Sequence, residues 1–357
     1  MPRSRTFLPI WLAALLILAC RAAPSVPLPT ASDSATALPP TTNTPPPSAT
    51  AHPSATPTAT LSPTPTATPD PYAGLTIADL VARSYGGGEL RIEETLAVNS
   101  AFTRYLITYP SDGLTTYGFM NVPHGEGVLP VVFVLHGYVD PGVYQVLTYT
   151  TRYADALARA GFLVIHPNYR GYPPSDDGPN AFRIGFAIDV LNLVALVRQQ
   201  AGQPGPLERA APSALGLLGH SMGGGITLRV LTVNPHIQAA VLYGSMSADE
   251  QQNFEKIFEW SDGQRGQEEL DTPAEDLLRI SPIFFLDRIQ ASLEVHHGGA
   301  DAVVPPAWSV DLCGRLQTLG KSVACFTYPG QPHTFTGDGE ALFLQRVIEF
   351  FTDALLP

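Results

Sequence analysis

Cysteine is scarce: Cys20, Cys313 and Cys325 are the only three among 357 residues. Three thiols cannot furnish a four-cysteine zinc ribbon, and no HExxH occurs, so neither metal nor organic cofactor is expected. Positive charge is also in deficit, with 20 basic against 32 acidic residues and a net charge of −12. That balance argues against a nucleic-acid partner, which needs clustered Lys and Arg to neutralise phosphates. It argues equally against loose attachment to an anionic lipid surface. No internal repeat is visible. What the chain does have is apolar mass, at 45% of residues, enough to bury a substantial core.

The N-terminus reads as an address. Arg3 and Arg5 precede the apolar run FLPIWLAALLILA, residues 7–19. A helix of that length falls short of a bilayer about 30 Å thick. A charged start, a short apolar region and small residues make a secretory signal over residues 1–20. The run closes on ILAC, which resembles a bacterial lipobox and makes Cys20 the candidate lipidated residue. Leu18 departs from the small residue usual there. Simple cleavage near Ala23 and an uncleaved anchor are the alternatives. Removing Cys20 leaves an even pair, Cys313 and Cys325. These either form a disulfide, permitted in an exported protein, or stand as two buried free thiols.

Residues 21–71 are almost wholly Ala, Pro, Ser and Thr, and 14 of the 35 prolines fall between 22 and 71. Such a segment has too little apolar surface to offset its ordering entropy. It is expected to be a disordered, semi-rigid spacer, with a glycosylated or binding stalk as the alternative. From residue 72 to 357 the pattern is globular. Thr76 and Asp79 predict a capping box. ELRIEETLAV, FTRYLITY and LTTYGFMNVP predict half-buried antiparallel strands. Strands such as PVVFVLHGY, FLVIHPNYRG and ALGLLGHS then alternate with helices, including the amphipathic run FRIGFAIDVLNLVALVRQQ. That rhythm predicts an α/β fold with a mostly parallel, doubly wound sheet behind antiparallel N-terminal strands. Residues 245–281 interrupt it and read as a small insertion or lid. Its Phe254, Phe258 and Trp260 are either a lid surface or core.

Gly219–Gly223, GHSMG, fits G-x-S-x-G between an apolar strand and a helix, the setting of a strained nucleophile turn. Ser221 is the candidate nucleophile, against a plain glycine turn. A serine hydroxyl needs a base, and His333 in YPGQPHTF lies late enough in the chain and in a loop. Asp301 in HHGGADAVVP follows the preceding strand and would orient that imidazole. His136, His166, His220, His296 and His297 are the competing histidines, the last two pointing to opposite sheet faces. The oxyanion needs two donors. Met222 supplies one amide, and Tyr138 is the candidate for the other through its N–H or its hydroxyl, with Val139 and Tyr144 nearby. His136 and Gly137 shape that turn.

VLHGY, NYRGY, GHSMGGG, SPIFFLDRI, HHGGADAVVP and YPGQPHTF, in this order over residues 95–356, resemble an α/β-hydrolase of the prolyl oligopeptidase-like branch. The resemblance implies that fold and places Ser221, Asp301 and His333 on the family's triad positions. Two features depart from it: no large N-terminal β-propeller is expected, and Gln331 and Pro332 precede the histidine where an acidic and a small residue are common. Arg170 in NYRGY sits near the mouth in such folds. It either binds an anionic substrate group or forms a structural ion pair. The expectation is an exported serine hydrolase acting through an acyl-enzyme, first on a carboxylic ester and alternatively on short peptides. A cell-wall or polysaccharide deacylase and an inactive, surface-tethered binding protein are further alternatives.

Overall fold

The structure is a computed structural model and describes residues 70–356. Cys20, the apolar run and nearly all of the Pro-rich stretch lie outside the described residues. A nine-stranded sheet organises the chain. Strands β1 (Arg91–Val98), β2 (Phe102–Ser111) and β3 (Leu114–Pro123) pair antiparallel. Strands β4 (Leu129–Leu135), β5 (Leu163–Pro167), β6 (Ala210–His220), β7 (Ala239–Tyr243), β8 (Ser292–Gly298) and β9 (Val323–Tyr328) form the parallel part. The order is β1-β2-β3-β5-β4-β6-β7-β8-β9. This is the expected fold class, and one feature of it places the site. The chain leaves β4 for β5 on one side and returns to β6 on the other, so the loops after β4 and β6 diverge. A crevice opens between them at the carboxyl edge, where open α/β sheets bind ligands.

Helices α1 (Ile77–Ala82), α2 (Thr151–Arg159), α3 (Ile184–Gln200), α4 (Met222–Val233), α5 (Glu250–Trp260), α6 (Gln267–Leu270), α7 (Ala274–Ile280), α8 (Pro306–Thr318) and α9 (Gly337–Leu355) cover both faces. β4 shows why its sequence is apolar throughout. Val131, Phe133 and Leu135 face the core under α3 and α4, while Val132 and Val134 face the core under α2 and α9. The capping box forms as expected: the Thr76 hydroxyl accepts from the Asp79 amide at 3.1 Å, and the Asp79 carboxylate accepts from the Thr76 amide at 3.3 Å.

Three elements differ from the sequence expectation. β1 is exposed along nearly its whole length, because it is the sheet edge and no layer covers it. Its Glu93 and Glu94 suit an edge that must not pair with a stranger. α3 is buried on almost every side rather than amphipathic, since it lies between the sheet and α4. Two of its polar residues, Asp189 and Asn192, are buried as well and carry hydrogen bonds. α9 begins at Gly337, four residues before the Ala341 at which the apolar pattern starts. Residues 245–281 fold into α5, α6 and α7 between β7 and β8. Cys313 on α8 and Cys325 on β9 are joined by a disulfide, with Cα atoms 6.5 Å apart, which decides that pair against two free thiols.

Candidate active site

Ser221 is the hinge residue between β6 and α4. Its φ of +57° and ψ of −117° lie outside the regions ordinary residues prefer, a strain stored where a side chain must be aimed. The flanking glycines permit the turn: a Cβ on Gly219 would strike the Gly223 carbonyl, and one on Gly223 would strike the Leu135 carbonyl. A Cβ on Gly224 would press into Ser245, whereas one on Gly225 would make an ordinary contact 3.4 Å from Met246. Of the two extra glycines, only Gly224 is demanded by close helix packing. The Ser221 amide donates to the Tyr243 carbonyl at 2.9 Å, which pins the turn to the end of β7. The Ser221 hydroxyl makes no hydrogen bond among the described residues.

His333 and Asp301 come together across loops 32 residues apart in sequence. The His333 Nδ1–H donates to Asp301 Oδ2 at 2.7 Å, which leaves Nε2 as the basic nitrogen. Asp301 Oδ1 accepts from the Val303 and Val304 amides at 2.8 and 2.9 Å. Burial pushes the Asp301 carboxyl up, but hydrogen bonds from His297, His333 and the Val304 amide outweigh it. The group ends well below the usual carboxylate range and stays ionised.

Sequence reasoning left His297 among the rejected histidines, and the structure sets it on the same carboxylate. Its Nε2 lies 3.1 Å from Asp301 Oδ2 and 3.1 Å from the Val304 carbonyl. Both are acceptors, so Nε2 carries the proton and Nδ1 accepts from the Ser309 hydroxyl at 2.6 Å. The H-x-x-x-D spacing was the available signal. His296 turns to the other sheet face, against Glu294 and Phe343, as alternation predicts.

His220, the variable residue of G-x-S-x-G, was missed too. Its Nε2–H donates to the His333 carbonyl at 3.1 Å, so Nδ1 accepts from the Tyr149 hydroxyl at 2.8 Å. That hydroxyl in turn accepts from the Gly137 amide at 2.8 Å. The line Gly137–Tyr149–His220–His333 thus joins the loop after β4, the nucleophile turn and the histidine loop. Burial, aided by the nearby His333, pushes the His220 imidazole down to about 3 and keeps it neutral. Nothing in the sequence marks Tyr149, which is brought in by the loop before α2.

The same line bears on the oxyanion donors. Gly137 gives its amide to the Tyr149 hydroxyl at 2.8 Å. The Tyr138 amide donates to no group among the described residues and stays the candidate second donor. The Tyr138 hydroxyl stays the other candidate: the residue lines the cleft, and its oxygen accepts from Arg265 at 2.8 Å while keeping its own proton to donate. Tyr144 is buried and donates to Asn168 at 3.1 Å, so its hydroxyl proton is already used. His136 stays a turn-shaping residue, buried, stacked 4.4 Å from Tyr169 and pushed down to about 4 by burial. Met222 opens α4, where amides of the first turn lack helical partners.

A cleft of about 980 Å³ opens at Tyr138 and Met222. Tyr172, Phe186 and Met246 line it from the sheet side, and Phe254, Ile257 and Trp260 of α5 form its other wall. Phe254 is buried while Trp260 is exposed at the mouth; Phe258 turns away, toward Gly263. Arg170 takes the second of its two readings, the structural ion pair. Nε and Nη2 donate to Asp189 at 3.1 and 2.8 Å, and Nη1 donates to the Pro179 carbonyl at 2.9 Å. The Asp112 carboxylate stands 3.5 Å away as well.

A crossover sheet with a strained serine turn at its switch point defines an α/β-hydrolase. Family comparison agrees. A model of the alpha/beta hydrolase fold matches residues 130–277, and one of the prolyl oligopeptidase family matches residues 207–356. The chain has the α/β-hydrolase fold, matches the prolyl oligopeptidase family over residues 207–356, and is a hydrolase of the esterase or peptidase kind. It is 23% identical over 246 residues to a Synechocystis sp. protein described as a candidate carboxymethylenebutenolidase, covering 67% of this chain and 88% of the relative. Among solved structures it is similar to a Mycobacterium tuberculosis puromycin-hydrolyzing peptidase, at 22% identity and a TM-score of 0.56 over 72% of this chain. It spans only 40% of that peptidase's length. It is also similar to acetyl xylan esterase 1 from Thermoanaerobacterium sp., at 17% identity and a TM-score of 0.55, covering 78% of this chain and 92% of the esterase.

Proposed function

We propose that this hydrolase is a serine carboxylic-ester hydrolase. The observation that carries the reading is the Asp301–His333 pair at 2.7 Å, its imidazole 4.7 Å from the ring of His220, the residue before a serine held in a strained turn. Ser221 Oγ attacks the ester carbonyl and its proton passes to His333 Nε2. The carbonyl oxygen, now an anion, is met by the Met222 and Tyr138 amides. The C–O bond breaks, and the departing alcohol takes the proton from His333. A water then attacks the acyl-enzyme with His333 again as base, releasing the carboxylic acid and Ser221. Asp301 holds the tautomer and balances the imidazolium, and His297 anchors Asp301 from behind.

An ester is favoured over a peptide by extent of match. The candidate carboxymethylenebutenolidase and the acetyl xylan esterase are covered over 88% and 92% of their lengths, against 40% of the puromycin-hydrolyzing peptidase. The peptide reading rests on the prolyl oligopeptidase family match over residues 207–356. A fluorophosphonate probe followed by peptide mapping, with a panel of nitrophenyl esters and aminoacyl anilides, tests both. Labelling of Ser221 and turnover of esters is expected, with Ser221→Ala losing both. Cleavage of anilides alone would transfer the activity to the peptidase reading, and an unlabelled Ser221 would end the hydrolytic assignment of this site.

We further propose that the protein works outside the cytoplasm, tethered by a lipid on Cys20 with residues 21–71 as spacer. The signal-like start, the lipobox-like ILAC and the Cys313–Cys325 disulfide support this reading. The mature mass should carry a lipid increment that Cys20→Ala lacks; equal masses would remove the anchor.

A further inference from the structure

The cations at the cleft are not equivalent. Arg170 is neutralised by its own buried partner, Asp189. Arg265 stands in water at the mouth, on the Tyr138 hydroxyl. Arg183 is different. It lines the cleft with its side chain only 15% exposed, and its carboxylate partner, Glu250, is shared. One Glu250 oxygen accepts from Arg183, while the other accepts from the buried Arg229 at 2.6 Å. Two guanidinium groups therefore face one carboxylate, and the cluster keeps an uncompensated positive charge at low exposure. A buried charge of that kind is costly unless something meets it.

The rest of the Arg183 environment shows where the counter-charge would sit. Its Nη1 reaches the Met246 thioether at 3.6 Å, and sulfur is a weak acceptor that leaves a charged donor under-satisfied. The Phe254 ring lies 4.9 Å from the guanidinium carbon and holds it flat against the wall. Phe182 and Arg183 both adopt left-handed backbone angles, with φ of +51° and +58°. Two successive non-glycine residues in that region are strained, and such strain gathers at functional sites. Met246 also ties this corner to the reaction, since its amide donates to the Ser221 carbonyl at 3.0 Å. Met246 thus touches the Arg183 guanidinium through its side chain and the Ser221 carbonyl through its backbone. Three carboxylates share the cleft with Arg183: Asp177 and Asp262 are exposed, where water and salt screen them, and Glu269 is half-buried.

We propose that Arg183 is a specificity residue for a carboxylate on the substrate, so that the preferred substrates are esters carrying a free anionic group a few bonds from the scissile carbonyl. This rests on the ester-hydrolase reading of Ser221. The planar fork of arginine suits bidentate contact with a carboxylate, and the rim opening leaves the rest of the acyl or alcohol part room.

Two matched substrate pairs test it: 4-nitrophenyl hemiadipate against the hexanoate, and the acetate ester of 3-hydroxybenzoate against that of 3-hydroxybenzamide. Wild type should favour the anionic member of at least one pair by about tenfold or more in kcat/KM, and salt should erode the preference. Arg183→Met should collapse the ratio toward one, with Arg183→Lys in between. Binding of adipate by calorimetry, which needs no turnover, should weaken in step. Absence of any anionic preference in wild type overturns the proposal, as does a preference that survives Arg183→Met. If Arg183→Met does not fold, adipate affinity of the wild type decides: no binding, or binding indifferent to salt, overturns it. An unlabelled Ser221 with no ester turned over would instead sink the hydrolase reading, and adipate calorimetry would still judge Arg183.

Discussion

At the residue scale, the nucleophile turn is held by more than its glycines. Tyr149 and His220 link the amide of Gly137 to the carbonyl of His333 through two hydrogen bonds of 2.8 Å and one of 3.1 Å. Fixing the Gly137 peptide also fixes the direction of the next amide, that of Tyr138. Tyr149→Phe leaves a buried amide and a buried imidazole nitrogen without partners, at a cost of about 1–3 kcal/mol each. The expected outcome is a roughly tenfold fall in kcat with little change in KM, and a parallel loss of affinity for a boronic-acid adduct of Ser221. Product affinity should hold. Steady-state kinetics and boronate inhibition check this, and an unchanged kcat would show that the line is scaffolding only. Motif order was enough to name Ser221, Asp301 and His333 as candidates. His297, His220 and Tyr149 were not, because a histidine's role depends on which carbonyl or carboxylate faces it, and sequence spacing does not record that.

At the element scale, the buried ion pairs act as fasteners. Arg170 follows β5 and Asp189 lies in the middle of α3, so their bonds lock the exit of the strand onto the helix. Arg170→Met would strand the Asp189 carboxylate, which is fully buried. Removing one partner of a buried pair costs about 3–5 kcal/mol. Chemical denaturation should show a loss of that size, with KM for neutral esters moving little in the protein that remains folded. A large KM effect without destabilisation would return Arg170 to substrate binding. α3 also shows why its pattern misled. Its polar residues were read as a solvent face, whereas Asp189 and Asn192 point inward to Arg170, Ser111 and Gly86. A buried polar residue with partners looks, in sequence, like an exposed one. α5 belongs to the same class: Glu250 at its first turn is held by Arg229 of α4 and the Ser281 hydroxyl bonds its amide at 3.2 Å.

At the scale of the whole molecule, several histidines are buried as neutral rings. His220 and His136 are pushed down to about 3 and about 4, chiefly by burial, and His166 is lowered as well. In the unfolded chain an imidazole titrates near pH ~6.5. Below that value the unfolded state binds protons that the folded state refuses, so stability rises with pH across the window. The stabilisation is fully present above about pH 6.5 and is lost as pH falls toward the folded values, with a slope of up to about 1.4 kcal/mol per pH unit for each ring. Asp301, held ionised, adds to the loss in the same direction below pH ~4. Urea unfolding between pH 7 and pH 4.5 should show a steadily falling free energy, and His220→Gln should flatten the slope. A profile flat down to pH 4.5 would mean that these rings protonate without unfolding.

The sequence by itself determined the sheet, the strand–helix alternation, the serine turn and the order of its partners. Those features rest on period, on chain direction and on residues such as Gly219 and Gly223 that have no substitute in a tight approach. It left Cys313 with Cys325, Arg170, and the Tyr138 donor open, each between two readings. Tertiary structure decided the first two, because each turns on a distance between elements: 6.5 Å between two Cα atoms and 2.8 Å from a guanidinium to Asp189; the Tyr138 donor stays part of the proposed mechanism. The sharing of Glu250 by Arg183 and Arg229 belongs to the same kind of fact. Three residues on three elements meet there, and only the folded chain leaves one of their charges facing the cleft.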